Sequence, residues 1–252
     1  MFLGRLGCRR EITVSHLRFN GPCRTTLRSG TRIKTMFDTV AARRMMVDCQ
    51  VRTADVTDPD LIAAMLAVPR ERFAPATVAE QAYVDNDLPL GGGRALLKPM
   101  VLAKLIQAAR VRSTDHVLDV GCGTGYSSAV LARLAGSVVA LEEDQALAQQ
   151  AKQALAGIEG GEIVSATGPL IAGWAAAAPY DVILLNGSTE VVPETLGRQL
   201  KPEGRLVAVF GRASAGKATV YRQIEDHLVG RPIFDAAARV LPGFVAAPEF
   251  VF

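Results

Sequence analysis

Histidine, cysteine and long apolar runs are scarce in this chain, and each scarcity narrows what it can be. Three histidines, His16, His116 and His227, lie far apart, so no metal site is expected. The four cysteines, Cys8, Cys23, Cys49 and Cys122, show neither a C-x-x-C pair nor a framework. They read as reduced thiols of a cytoplasmic protein. No apolar run reaches the roughly 18 residues that a membrane span needs, so no membrane partner is expected. Internal repeats and low-complexity segments are missing as well. What remains is a chain of 252 residues, long enough for one large α/β core with an appendage.

Acids are nearly missing from residues 1–35, which carry seven arginines and Lys34 against Glu11 alone. The formal charge of +3 therefore divides into +7 there and −4 over the rest. Such a stretch suits an organellar leader, a nucleic-acid-binding arm, or an over-extended reading frame. The third reading is preferred, because Met36-Phe37-Asp38 opens the first well-patterned helix. Residues 1–35 are thus expected to be disordered and dispensable, and no nucleic-acid partner is expected.

The chain is organised around residues 115–143. His116 to Val120 is an apolar, β-branched run, the pattern of a buried strand. Gly121-Cys122-Gly123-Thr124-Gly125 follows at once, and residues 126–135 read as a helix. Residues 138–141 form a second buried strand, ending on Glu142 and Glu143. A strand can become a helix within five residues only through backbone conformations closed to most side chains. A carboxylate about 20 residues after the first glycine reaches the tip of the neighbouring strand, where it can take both hydroxyls of a ribose. Strand, glycine loop, helix, strand and acid make the first half of a doubly wound nucleotide-binding sheet. Cys122 reads as a small residue that fits a tight turn.

Upstream, Val40, Met45, Met46, Cys49 and Val51 fall near helical spacing. Asp58 suits an N-cap with Pro59 at the first helical position. The helix after it spans residues 60–68, with Leu61, Ile62, Met65 and Leu66 apolar. Residues 70–93 read as loop, and residues 99–109 as a helix with Leu102, Leu105 and Ile106 on one face. Downstream, residues 204–210 read as the fifth strand, and residues 217–228 are of mixed character. Phe234, Phe244, Val245 and Phe250 to Phe252 read as apolar packing strands, and the alanines at 175–178 as a helix end.

Several of these segments together resemble the protein-L-isoaspartate O-methyltransferase family of class I S-adenosylmethionine methyltransferases. They are Pro69-Arg70-x-x-Phe73-x-Pro75, then Ala82-Tyr83-x-Asp85-x-x-Leu88-Pro89-Leu90-Gly91-x-Gly93. The run from Val117 to Ala132, Tyr180 to Leu185, Glu190 to Pro193 and Gln199 to Val207 continue the likeness in order. The resemblance implies a Rossmann-like, doubly wound, mostly parallel sheet with a helical N-terminal cap and antiparallel C-terminal strands. It implies a cap and substrate-loop region over residues 36–98 and a cofactor domain over residues 99–252. It implies S-adenosylmethionine as cofactor, held by Asp119, Gly121, Gly123, Gly125 and Glu142, and a protein or peptide carboxylate as substrate.

Three departures accompany the likeness. The family's Thr-Ile-Ser, whose hydroxyls line the substrate carboxylate pocket, is Ala95-Leu96-Leu97 here. Its Gly-Asp-Gly after the third strand, with the Asp on the adenine amino group, is Gly168-Pro169-Leu170. Its Thr-Ala after the fourth strand is Asn186-Gly187. Methylation of isoaspartyl carboxylates is therefore the expected activity, with reduced turnover. Another acceptor, or S-adenosylmethionine binding without catalysis, are the alternatives. Lys98 is the candidate for replacing the missing polar contacts.

Overall fold

Asp38, the first described residue, caps a helix: its carboxylate accepts the amides of Val40 at 3.1 Å and Ala41 at 3.0 Å. Our computed structural model describes residues 38–212, 215–224 and 227–247; the expectation for residues 1–35 lies outside them. Helix α1, Thr39–Met46, runs straight into a π-helical turn, Val47–Val51. Met46, Val47 and Val51 are buried, whereas Met45 and Cys49 are exposed. The apolar face thus differs from the one read in the sequence, because the wider turn re-phases the side chains. Helix α2, Pro59–Ala67, is capped by Asp58 with Pro59 in its first turn, as expected.

The stretch read as loop holds more structure than its glycines suggested. A 3₁₀ turn, Arg70–Phe73, leads to a hairpin of β1, Leu88–Gly91, and β2, Arg94–Leu96. Helix α3, Pro99–Ala109, matches its sequence bounds and ends on Arg110 in the left-handed region. The sheet follows as β3 (His116–Val120), α4 (Tyr126–Ala132), β4 (Ser137–Glu142), α5 (Gln145–Leu155) and β5 (Glu162–Thr167). It is completed by β6 (Tyr180–Thr189), α6 (Glu194–Gly197), β7 (Leu200–Phe210), β8 (Gly216–Ile224) and β9 (His227–Ala236). Helix α4 stops short of residue 135 because Arg133 and Leu134 close a tighter turn onto Val130 and Leu131.

The seven strands lie in the order β5-β4-β3-β6-β7-β8-β9. The first five are mutually parallel, and β8 and β9 add antiparallel to the end. This is the expected fold class. Successive strand residues face opposite sides. Val117, Val138, Val182 and Val207 pack with α3 and α4, while Leu118, Val139, Ile183 and Leu206 pack with Leu196 of α6. Chain order reverses between β3 and β6, and in such sheets the ligand crevice opens at the carboxyl ends of those strands.

At the C-terminal end two expectations change. Phe244 is buried, but it lies in a turn after β9 rather than in a strand, and Val245 is exposed. The expected strand at Phe250 to Phe252 lies outside the described residues. The alanines at 175–177 form a 3₁₀ turn rather than a helix end. Among the described residues no helix is long and apolar enough to cross a membrane.

Candidate active site

Glu142 closes β4 with no exposed surface, and the backbone around it is built to receive a carboxylate. Its Oε1 accepts the amides of Glu143 at 2.9 Å and Asp144 at 3.3 Å. Its Oε2 accepts the amide of Gly123 at 2.7 Å. The loop is held to the same strand end, since the amides of Gly121 and Cys122 both donate to Leu141 O. Gly121, Gly123 and Gly125 all have positive φ, a region that glycine enters without steric cost.

Asp119, on β3, is wholly buried. Its Oδ2 accepts the hydroxyls of Ser127 and Ser128, each at 2.6 Å, which ties the strand to the first turn of α4. Asn186 Nδ2 donates to Ser127 Oγ at 2.7 Å, so β6 joins the same chain of bonds. Burial pushes the Asp119 carboxyl up to about 6, against the opposing pull of the two serine hydroxyls. Burial also raises the Cys122 thiol, with Asp119 and Glu142 adding to the effect. Cys122 is therefore a neutral packing residue, as its place in the loop suggested.

The β1–β2 hairpin lies directly on this loop. A Cβ on Gly121 would stand 2.6 Å from Arg94 Nη2, and one on Gly123 would stand 2.7 Å from Leu90 Cδ1. Arg94 Nη2 donates to Gly121 O at 2.7 Å and to Glu142 Oε2 at 3.0 Å, an ion pair with both side chains buried. Three consecutive glycines, Gly91, Gly92 and Gly93, all with positive φ, form the tip that carries Arg94 inward. Ala95 and Leu97 follow it, both buried, and Leu97 packs into the main core.

Arg70 explains how the hairpin is anchored. Fully buried, it donates to Ala82 O and to Leu97 O, both at 2.7 Å, and lies 4.6 Å above the Tyr126 ring. Phe73 meets the same ring edge-on at 5.7 Å. The Pro-Arg-x-x-Phe segment is therefore a clamp between α4 and the strand that bears Ala95. Desolvation lowers the Arg70 pKa, yet arginine remains charged in any such site.

Sequence reasoning brought Asp119, the three loop glycines and Glu142 to one place, and the structure puts them there. It missed Arg94, Ser127, Ser128 and Asn186 as partners. The adjacent serines just after the glycine loop were the one available signal, because hydroxyls in a first helical turn can face the preceding strand. Lys98 stands at the start of α3, where its backbone amide donates to Asp87 Oδ1 at 2.9 Å.

The site can take an adenosyl ligand. Asp119 Oδ1 and Asn186 Oδ1 are buried acceptors without a protein partner among the described residues. Together with Glu142 they offer acceptors to hydroxyl and amino donors, while the loop glycines allow close approach of the ligand to the backbone. A sheet of this order with this strand-end site defines a class I methyltransferase that depends on S-adenosylmethionine. Residues 42–236 match the family Protein-L-isoaspartate(D-aspartate) O-methyltransferase (PCMT). The chain belongs to that family. A protein-L-isoaspartate O-methyltransferase of Methylorubrum extorquens is 41% identical over 181 residues, 72% of this chain and 79% of that one. Another, from Pelotomaculum thermopropionicum, is 38% identical over 184 residues, 73% of this chain and 80% of that one. Among solved structures, a protein-L-isoaspartate O-methyltransferase has 25% identity and a TM-score of 0.67, covering 80% of this chain and 66% of that one. A Plasmodium falciparum beta-aspartate methyltransferase (PCMT), in complex with S-adenosyl-L-homocysteine, shares the fold at 16% identity with a TM-score of 0.67. That likeness covers 79% of this chain and 97% of the Plasmodium chain.

Proposed function

We propose that this chain methylates the carboxylate of isoaspartyl residues in proteins or peptides, at a rate held down by its apolar acceptor segment. The observation that carries the reading is the strand-end site of Glu142 and Asp119 beneath a hairpin that occupies the place of the family's substrate segment, although its Thr-Ile-Ser is Ala95-Leu96-Leu97 here. S-adenosylmethionine, when bound, supplies an electrophilic methyl group. The acceptor carboxylate is already ionised at neutral pH, so the chain needs no general base. Its work is to hold two reactants in line and to exclude water.

The residues divide that work. Glu142 receives the ribose hydroxyls, Gly121 and Gly123 admit the ligand to the backbone, and Asp119 fixes the start of α4 through Ser127 and Ser128. Gly125 supplies the turn into that helix. Residues 36–98 act as the cap and residues 99–252 as the cofactor domain. Arg94 has to leave Glu142 before a ribose takes its place, so cofactor entry and hairpin opening are one event. The guanidinium is then released from its ion pair beside the acceptor segment, where the family's hydroxyls have given way to Ala95 and Leu97. A different carboxylate acceptor is the second reading, favoured by the burial of those two apolar side chains.

The test uses tritium-labelled S-adenosylmethionine with an isoaspartyl peptide and its aspartyl isomer. Transfer to the first and not the second, as a base-labile ester, is expected. Transfer to neither peptide, with S-adenosylhomocysteine still bound in a calorimeter, points to the second reading.

A further inference from the structure

A concave site lies at the end of the sheet away from the glycine loop. The glycine loop follows the carboxyl end of β3, whereas this cavity of about 890 Å³ gathers residues just before β3 and at the start of β7. Its cations are Lys104, Arg110, Arg112, Arg205, Arg222 and Arg231, and its acids are Asp55 and Glu203. Residues 36–252 carry a formal charge of −4, so the lining opposes the sign of the chain that surrounds it.

Not all of that charge is available. Arg205 is spent on the carbonyls of Ala109 and Arg110 and on Asp115 Oδ2 at 2.7 Å. Arg222 lies 3.7 Å from Glu203, with both side chains more than half exposed, a pair of little strength in water. Arg110, Arg112 and Arg231 have no ion-pair partner among the described residues, and all three are exposed. Arg110 is held at the cavity by its left-handed backbone, which ends α3.

The floor is apolar. β8 and β9 pair with Val220 opposite Arg231 and Arg222 opposite Val229, so cations and β-branched side chains alternate across one face of the hairpin. Ile224, Val229 and Ile233 on that face are 55%, 50% and 42% exposed. Lys104 Nζ lies 4.4 Å from the centroid of the Phe234 ring, which keeps the lysine at the rim of this floor. A volume near 900 Å³ suits a small ligand rather than a flat protein partner. Guanidinium forks suit phosphate oxygens, and the exposed β-branched patch suits a flat organic body.

We propose that this cavity binds a nucleoside polyphosphate, with its phosphates on Arg110, Arg112 and Arg231 and its base on the floor formed by Val220, Val229 and Ile233. The assignment is independent of the methyltransferase reading, since none of these residues belongs to the strand-end site. The test is calorimetry of the full chain with GDP, in saturating S-adenosylhomocysteine so that the strand-end site is filled. One GDP site is expected, with guanosine and inorganic tripolyphosphate each binding at least about tenfold more weakly. Arg112→Gln combined with Arg231→Gln should weaken GDP by roughly thirtyfold or more at unchanged melting temperature. Arg198→Gln, an exposed change outside the cavity, should leave GDP binding as it was. No heat from GDP at about 1 mM, binding equal in the double variant, or tripolyphosphate as tight as GDP would each overturn the proposal.

Discussion

The two halves of the strand-end site are built from opposite materials. Beneath, Glu142 accepts four N–H donors and Asp119 two hydroxyls, and buried acceptors remain beside them. Above, the hairpin offers one guanidinium and then Ala95, Leu96 and Leu97, which are buried and without a side-chain polar atom. On the proposed reading the lower half keeps what a cofactor needs, and the upper half has exchanged the contacts an acceptor carboxylate needs for packing. A methyl transfer without a general base tolerates such an exchange, because a lost hydroxyl removes positioning rather than a proton acceptor. Each lost hydrogen bond to a charged group is worth about 1.5–3 kcal/mol, so two imply a deficit of roughly 3–6 kcal/mol at the transition state.

The comparison breaks most visibly at Glu142. Glu142→Ala leaves Arg94 buried without its counter-charge, a loss of about 3–5 kcal/mol. A fall in melting temperature of several degrees is expected, together with at least tenfold weaker S-adenosylhomocysteine. A variant that melts and binds like the parent would show that the lower half is not organised by this carboxylate.

Asp119 sharpens the same half through pH. Its folded pKa of about 6 lies above the ordinary 3.8, so the folded state holds the proton more tightly. The contribution is present below pH 4 and is lost as pH rises through 6, roughly 3 kcal/mol in all. Denaturant melts of Asp119→Asn against the parent should therefore favour the variant increasingly between pH 4 and 7. A difference that stays flat across that window contradicts the buried, desolvated carboxyl.

The fold was readable wherever periodicity and punctuation agreed. Asp58-Pro59, the helix at Pro99, and the run from His116 through Glu142 all carry local signals that tertiary packing then confirms. The β1–β2 hairpin was not readable, since three glycines in a row look like a loop whether or not strands flank them. The face of α1 was misread because nothing in Val47 to Val51 announces a π turn. The site was half legible. Glycine spacing finds the loop and the acid, but a contact such as Arg94 on Glu142 spans 48 residues and depends on where the hairpin folds back.

The hairpin side gives smaller effects. Ala95→Thr restores one hydroxyl and should raise turnover on isoaspartyl peptide by about tenfold. Leu97→Ser restores the other but empties part of the core, so it should cost about 2–4 kcal/mol of stability. The single threonine is therefore the better probe. Arg94→Gln should tighten S-adenosylhomocysteine by several-fold, because the ribose no longer competes with an ion pair for Glu142. Weaker binding by that variant would mean that the guanidinium assists the ligand rather than yielding to it.

The asymmetry itself is measured most directly by assaying this chain beside a relative that has both family hydroxyls. S-adenosylhomocysteine affinity is read by calorimetry, and kcat/KM for one isoaspartyl peptide by labelled methyl transfer. The account predicts affinities within about tenfold of each other and a kcat/KM at least a hundredfold lower for this chain, the smaller end of a 3–6 kcal/mol deficit. Equal kcat/KM values would contradict it, because they would show that Ala95 and Leu97 serve the acceptor as well as the hydroxyls they replace.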